Sequence, residues 1–251
     1  MKRTSKQIVF SLLYIVIFFL IGLGIWSVLT KQTPTCSDGI KNQTETGVDC
    51  GGGCISCELK NIEPIEFLGY SIMPLKSGKV SLLVHVKNPN ETHHASPFSY
   101  KIHLFDESGI EREVFSGESS LIAGSEGYLF EGQGRYSDPA DVKLEVTNVN
   151  WKSTDAFSVP RLLLQDITTN VEESVVRVKG VVQNSSSFAA ENVHIIAILS
   201  GDYNEDVYAS EMILTRVLGL GKEKFSVIFP NDPEIVKRLK TNQTRVIVQA
   251  E

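Results

Sequence analysis

The chain predicts an all-β protein behind one membrane helix: two tandem antiparallel β-sandwich domains preceded by a small disulfide-rich segment. Three observations predict it. An uncharged apolar run fills Ile8–Leu29, all four cysteines crowd between Cys36 and Cys57, and from Glu58 onward apolar and polar residues alternate between turn residues.

The run IVFSLLYIVIFFLIGLGIWSVL has 22 residues. At about 1.5 Å rise per residue a helix of that length spans roughly 33 Å, enough to cross a hydrocarbon core of about 30 Å. In lipid every backbone polar group needs an internal partner, so the run is expected as a helix. Lys2, Arg3 and Lys6 precede it and only Lys31 follows closely, which places the N-terminus in the cytoplasm and the bulk of the chain outside the cell membrane. A cleaved signal peptide is the rival reading, with Gly22 and Gly24 as small residues near a cleavage site. The run continues through Ile25, Trp26, Val28 and Leu29, longer than the about 15 residues of an ordinary signal core, and this favours an uncleaved signal anchor. The expected segments are a cytoplasmic tip 1–7, a transmembrane helix 8–29, a cysteine-rich stalk 30–58, and sandwiches over 59–153 and 161–251.

Setting aside the three cytoplasmic cations leaves 21 Lys and Arg against 30 Asp and Glu, an exported part with net charge near −9. That balance argues against nucleic acid and anionic lipid as partners. An exported length of about 220 residues suits two domains of about 100.

The cysteines lie in CSDGIKNQTETGVDCGGGCISC, at Cys36, Cys50, Cys54 and Cys57. In an oxidising exterior an even, clustered set reads as two disulfides, which so short a segment needs in place of a core. Three connectivities remain open. The alternative is a four-thiolate zinc site, suggested by the C-x-x-C at Cys54 and Cys57.

This segment resembles a cysteine motif of exported microbial proteins, C-x-D-G-x-x-N, an acidic residue, then V-D-C-G-G-x-C-x-x-C. Cys36, Asp38, Gly39, Asn42, Glu45, Val48, Asp49, Cys50, Gly51, Gly52, Cys54 and Cys57 carry the resemblance. It implies an exposed stalk module and no catalysis. Asp38, Asn42, Glu45 and Asp49 offer oxygens of the kind calcium prefers, without the alternate-residue spacing of an EF-hand. The competing reading is turn chemistry: Asp-Gly and Gly-Gly-Gly supply positive φ, and Asp and Asn side chains cap their own turns.

Beyond it, Val80, Leu82, Val84 and Val86 share one face of a strand ending at Asn88-Pro89-Asn90. Phe98, Tyr100, Ile102 and Leu104 share a face of the next, which ends at Asp106. Further strands are expected at Pro64–Tyr70, Glu111–Ser116, Glu126–Gln133 and Asp141–Trp151. The order then repeats. Val176–Asn184 lies on Val80–Asn88 with an offset of 96, both ending in Asn. Val193, Ile195, Ala197 and Leu199 echo Phe98 to Leu104, and the strand from Gly221 echoes that from Gly124. Arg245–Ala250 answers Val142–Val146. Asn231 or Asp232, with Pro233, starts one short helix to about Leu239, and Ser153–Pro160 forms the joint.

These repeats resemble the FxLYD family of sandwich domains, related in form to WHy and immunoglobulin-like folds. Val84-His-Val86-Lys-Asn88 and Ile102-His-Leu104-Phe105-Asp106 before Ser108-Gly109 carry the likeness, and the second copy departs with Leu199-Ser-Gly-Asp. The resemblance implies an exported or tethered accessory domain and transfers no catalytic residues.

No nucleophile elbow, dinucleotide loop, phosphate loop or H-E-x-x-H is present. His85, His93, His94 and His103 fall within 19 residues. If the two strands form a hairpin, His85 and His103 are neighbours on its outer surface while His93 and His94 ride a solvated loop, too far to share a metal. Asn42, Asn90, Asn184 and Asn242 begin glycosylation sequons placed in loops or at element ends. The expected function is a non-enzymatic cell-surface binding or scaffolding module with a protein or glycan partner. The alternative is an accessory subunit of a membrane or envelope complex; a secreted hydrolase ranks third.

Overall fold

Helix α1 runs unbroken over Arg3–Leu29, 27 residues. The computed structural model describes residues 3–29, 35–75, 78–202 and 205–250, with side chains of α1 over 11–26. Each of those side chains is exposed, Phe18 to 70% and Trp26 to 71%. Among the described residues no helix is long and apolar enough to cross a membrane. The α1 side chains described cover sixteen positions, short of the about 20 residues of a span, and the uncharged run Ile8–Leu29 extends past both ends of them.

Met1–Ile62 and Glu63–Glu251 form separate compact units. The second holds strands β1 (Glu66–Pro74), β2 (Val80–Lys87), β3 (His93–Phe105), β4 (Glu111–Leu121), β5 (Glu126–Gly134), β6 (Asp141–Thr147) and β7 (Trp151–Ser153). After the connection follow β8 (Leu162–Val171), β9 (Val175–Asn184), β10 (Ala190–Ser200), β11 (Asp206–Val217), β12 (Lys222–Pro230) and β13 (Arg245–Ala250), with α2 (Pro233–Arg238) between the last two. Sheets β1-β2-β5 and β4-β3-β6, the latter extended by β7, make the first half; β8-β9-β12 and β11-β10-β13 make the second. The strand order is the same in both halves, and each pairing is antiparallel.

Leu82, Val84 and Val86 of β2 meet Tyr100, Ile102 and Leu104 of β3 in one core. Val176, Val178 and Val182 of β9 meet Val193, Ile195, Ala197 and Leu199 of β10 in the other, and this second core also takes in Met73, Leu83 and the half-buried Tyr128 and Phe130 from the first half. Strand β2 therefore buries both of its faces while much of β1 stays exposed, and β10 is likewise buried on both sides, with Ile196 and Ile198 buried alongside their neighbours. Ser81 Oγ accepts from the Ala209 backbone N–H at 3.4 Å, and Gln249 Oε1 accepts from that of Tyr128 at 2.8 Å, so the apolar contact is stitched by hydrogen bonds.

Asn88 and Asn184 bolt the sheets of each half together. Asn88, just past β2, donates from Nδ2 to the carbonyls of His93 (2.8 Å) and Ile122 (3.3 Å), while its Oδ1 accepts from Asn90 N–H (3.0 Å). Asn184 donates to Phe188 (2.8 Å) and Val217 (3.2 Å) and accepts from Ser186 (2.9 Å). Both are fully buried. Each amide thus joins the end of a central strand to backbone belonging to the facing sheet.

Several expectations are corrected. β2 pairs with β1 and β5, and β3 with β4, β6 and β7, so the condition for His85 and His103 to be neighbours, a hairpin of Val80–Asn88 with Phe98–Asp106, is not met. β3 starts at His93, because His93–Ala95 pairs with β7. The expected strand Asp141–Trp151 is two, divided at Asn148 with its φ of 51°. β8 and β11 were not foreseen. In β8 a bulge between Gln165 and Thr168, with Asp166 at φ 52°, switches the core-facing parity from Leu162 and Leu164 to Thr169. In β11 Val207, Tyr208 and Ala209 are buried in succession, which erases alternation. Replacing Asn184 by Ala removes the donor to the buried Val217 carbonyl and to that of Phe188, and the expected loss is about 2–4 kcal/mol in urea unfolding. Asn170→Ala, at an exposed β8 position, is expected to stay within about 0.5 kcal/mol, and equal unfolding midpoints for the two variants would refute the bolt.

Candidate functional site

Cys36 is bonded to Cys54 and Cys50 to Cys57, leaving no free cysteine among the described residues. All four sulfurs are consumed as disulfides, the first of the two chemistries expected for them. The glycines around them are sterically required. A Cβ on Gly47 would lie 2.7 Å from Cys50 Sγ and 2.9 Å from Cys57 Sγ, and one on Gly52 (φ 62°) would lie 2.0 Å from the Thr44 carbonyl oxygen.

The oxygen-bearing side chains form one linked network. Asp38 Oδ2 accepts from Asn42 Nδ2 (2.8 Å) and Oδ1 from Ile40 N–H (2.9 Å), and these bonds, that to Asn42 foremost, hold its carboxyl below the usual range. Glu45 is buried and its Oε2 accepts from the backbone N–H groups of Asn42 (3.1 Å) and Asp49 (3.3 Å). Asp49 Oδ1 accepts from Gly39 N–H (2.9 Å), with Lys60 Nζ 3.7 Å from Oδ2. The four expected calcium donors are thus brought together, with their oxygens closing backbone turns; Asn42 Oδ1 alone among them is buried without a partner. Glu45 also lies with the Cys36 and Cys54 sulfurs in a compact group, but those sulfurs are bonded to one another.

The histidines separate. His85 Nε2 is 2.8 Å from Glu126 Oε2, its ring stacked on Tyr128. His103 sits on the other sheet of that half between Glu111 (2.7 Å) and Glu145 (3.4 Å). His93 and His94, expected in a solvated loop, are buried in β3 at 7% and 5% exposure. His94 Nδ1 accepts from Ala123 N–H at 3.0 Å, and burial lowers its pKa.

A cluster that sequence reasoning missed lies where the halves meet. Tyr100 Oη donates to Glu131 Oε1 at 3.0 Å, and His194 Nδ1 is 2.7 Å from Glu211 Oε1. Burial pushes the Glu131 carboxyl up, as does the neighbouring charge of Glu211, while the Tyr100 bond opposes them; Tyr100 is raised by burial. These residues come from four strands scattered over 112 positions, and nothing in local spacing could have joined them. Tyr100, His194 and Glu211 line a small cavity of about 40 Å³. A larger cavity of about 420 Å³ is bordered by Ser120, Ile122, Pro160, Arg161, Leu162 and Gln249.

The sequons also divide. Asn184 is wholly buried and Asn90 Nδ2 is bound to the Glu63 carbonyl (2.8 Å), as Asn42 Nδ2 is to Asp38, whereas Asn242 is exposed.

No family model and no curated protein matches this chain. Among solved structures, red sea bream transglutaminase aligns at 14% identity and a TM-score of 0.24, covering 76% of this chain and 32% of that one. The chain thus spans about a third of the length of that structure, and so low a score supports no further comparison.

Expressed in a glycosylating host, the protein is expected to carry glycan at Asn242 and to lose it in Asn242→Gln. Glycan on Asn184 of the folded protein would contradict the burial. A second expectation concerns pH. Because the folded pKa of Glu131 is raised, its contribution is fully present below the unfolded pKa and is lost as pH rises through the folded one. Glu131→Gln should therefore gain stability over the wild type toward neutral pH and lose that advantage in acid; superimposable melting curves across the range would rule this out.

Proposed function

We propose that this is a membrane-anchored extracytoplasmic protein that binds or scaffolds a cell-surface partner without catalysis. In this reading Ile8–Leu29 crosses the membrane with the N-terminus cytoplasmic, and residues 30–58 form the stalk. The two repeats, 59–153 and 161–251, act as immunoglobulin-like sandwich domains of the FxLYD kind.

The observation that carries the reading is α1: a helix of 27 residues whose described side chains are apolar or small on every side and uniformly exposed. Burying apolar surface is worth about 25 cal/mol per Å², so a helix of this composition is stable in lipid and a liability in water. The two disulfides add support, since such bonds persist in oxidising compartments. The non-catalytic reading is supported by the small volume, about 40 Å³, beside Tyr100, His194 and Glu211. In the larger cavity Glu126 is occupied by His85.

Membrane fractionation tests the anchor. The full chain is expected in the pellet after alkaline carbonate washing and to yield non-reduced peptides joining Cys36 to Cys54 and Cys50 to Cys57. Release by carbonate, or alkylation of these cysteines without prior reduction, would sink the reading. In capture from solubilised membranes, partners are expected to survive exchange of α1 for an unrelated helix and to vanish on deletion of 63–251. The reverse pattern would favour the accessory subunit.

A further inference from the structure

The outer face of sheet β8-β9-β12 carries a charge pattern at odds with an acidic chain. Val176, Val178 and Val182 on β9 and Phe225, Val227 and Phe229 on β12 are buried. The alternate residues Arg177, Lys179 and Val181, and Lys222, Lys224 and Ser226, therefore point away from the core. Register sets Lys222 opposite Gln183, Lys224 opposite Val181, Lys179 opposite Ser226 and Arg177 opposite Ile228. Alternate residues on a strand are about 6.8 Å apart, so the cations follow one another in a single row of about 20 Å, first two on β12 and then two on β9.

Among the described residues only the Arg177 end of the row is neutralised within the face, by Glu172, which accepts from both Arg177 Nε and Nη2. Glu172 bonds Arg177 Nε at 3.0 Å and lies 3.8 Å from Lys179 Nζ. Lys222 donates to the uncharged amide of Gln165 at 3.1 Å, and Lys224 makes no ion pair among the described residues. Over the middle of the row lies an open depression of about 450 Å³ bordered by Lys179, Val181, Lys224, Ser226, Met212 and Asp166. Its lining is apolar between two ammonium groups, with a single acid at the β8 side.

We infer that this face binds a linear anionic polysaccharide. Successive acidic groups meet Lys222, Lys224, Lys179 and Arg177 in turn, and the apolar face of one sugar ring rests on Val181 and Met212. The row is one charge wide, which suits a chain; a bilayer presents its charges over a plane. This deepens the surface-module reading and rests on it, since the polymer must lie on the same side of the membrane.

The test uses the full chain in neutral detergent with polygalacturonate as probe and dextran as uncharged control. Binding is expected to polygalacturonate and not to dextran, and to weaken at least about tenfold when salt shortens the screening length from about 10 Å toward about 3 Å. The double variant Lys179→Glu, Lys224→Glu should lose at least about tenfold, with an unchanged circular dichroism spectrum because both side chains are exposed. Lys101→Glu with Lys143→Glu, on the exposed face of β4-β3-β6, should bind as the wild type does. Equal binding by the Lys179, Lys224 double variant, no binding to polygalacturonate, or preference for phosphatidylglycerol vesicles over the polymer would each overturn the inference. If other envelope components are still captured through residues 63–251 in that case, the surface-module reading stands alone; if none is, both fall.

Discussion

A buried carboxamide at the end of each central strand determines how two sheets become one half of the body. Asn88 and Asn184 each offer two N–H donors to carbonyls of the facing sheet and one oxygen to a backbone N–H two residues on. An isolated buried amide is costly, but one with its donors and acceptor matched is directional in a way that apolar packing is not. The valines and isoleucines around it supply attraction without register. The asparagine supplies the register. Removing the side chain takes the donor away from the His93 and Val217 carbonyls, whose bonds are buried.

Around those bolts the chain stacks sheets. The β1-β2-β5 sheet faces one core with Leu82, Val84 and Val86 and the other with Met73 and Leu83. Polar groups survive at the contact only where they are satisfied: Ser81 with Ala209, Gln249 with Tyr128, Tyr100 with Glu131. The stapled segment before it follows a different logic: among its described residues only Glu45 and Cys50 are buried, and it depends on two disulfides and on side chains such as Glu45 closing turns.

How much of this was legible depends on what kind of signal each feature leaves. Val80–Asn88 and its echo at Val176–Asn184 showed the two central strands and pointed to the repeated strand order, and Arg245–Ala250 and the Pro233 helix start agree with β13 and α2. Alternation reveals which face a residue takes but never which strand lies beside it, so a β2–β3 hairpin could be entertained only as a condition. Asp166 broke the parity of β8, and three buried residues in a row hid β11. The near-continuous apolar run of Val80–Val86 was itself a sign of burial on two sides, masked by reading only its even positions. The terminal Asn of each repeat was visible as a letter; its role needed the third dimension. The Tyr100, Glu131, His194 and Glu211 group left no trace in spacing, since its members meet only through tertiary packing.

Burial of β2 on both faces also bears on how the two halves depend on each other. Because Leu83 and Met73 belong to the core of the second half, neither half can be removed without uncovering apolar surface on the other. The two halves are therefore expected to stand or fall together, while the outward faces of β4-β3-β6 and β8-β9-β12 can change without touching that contact.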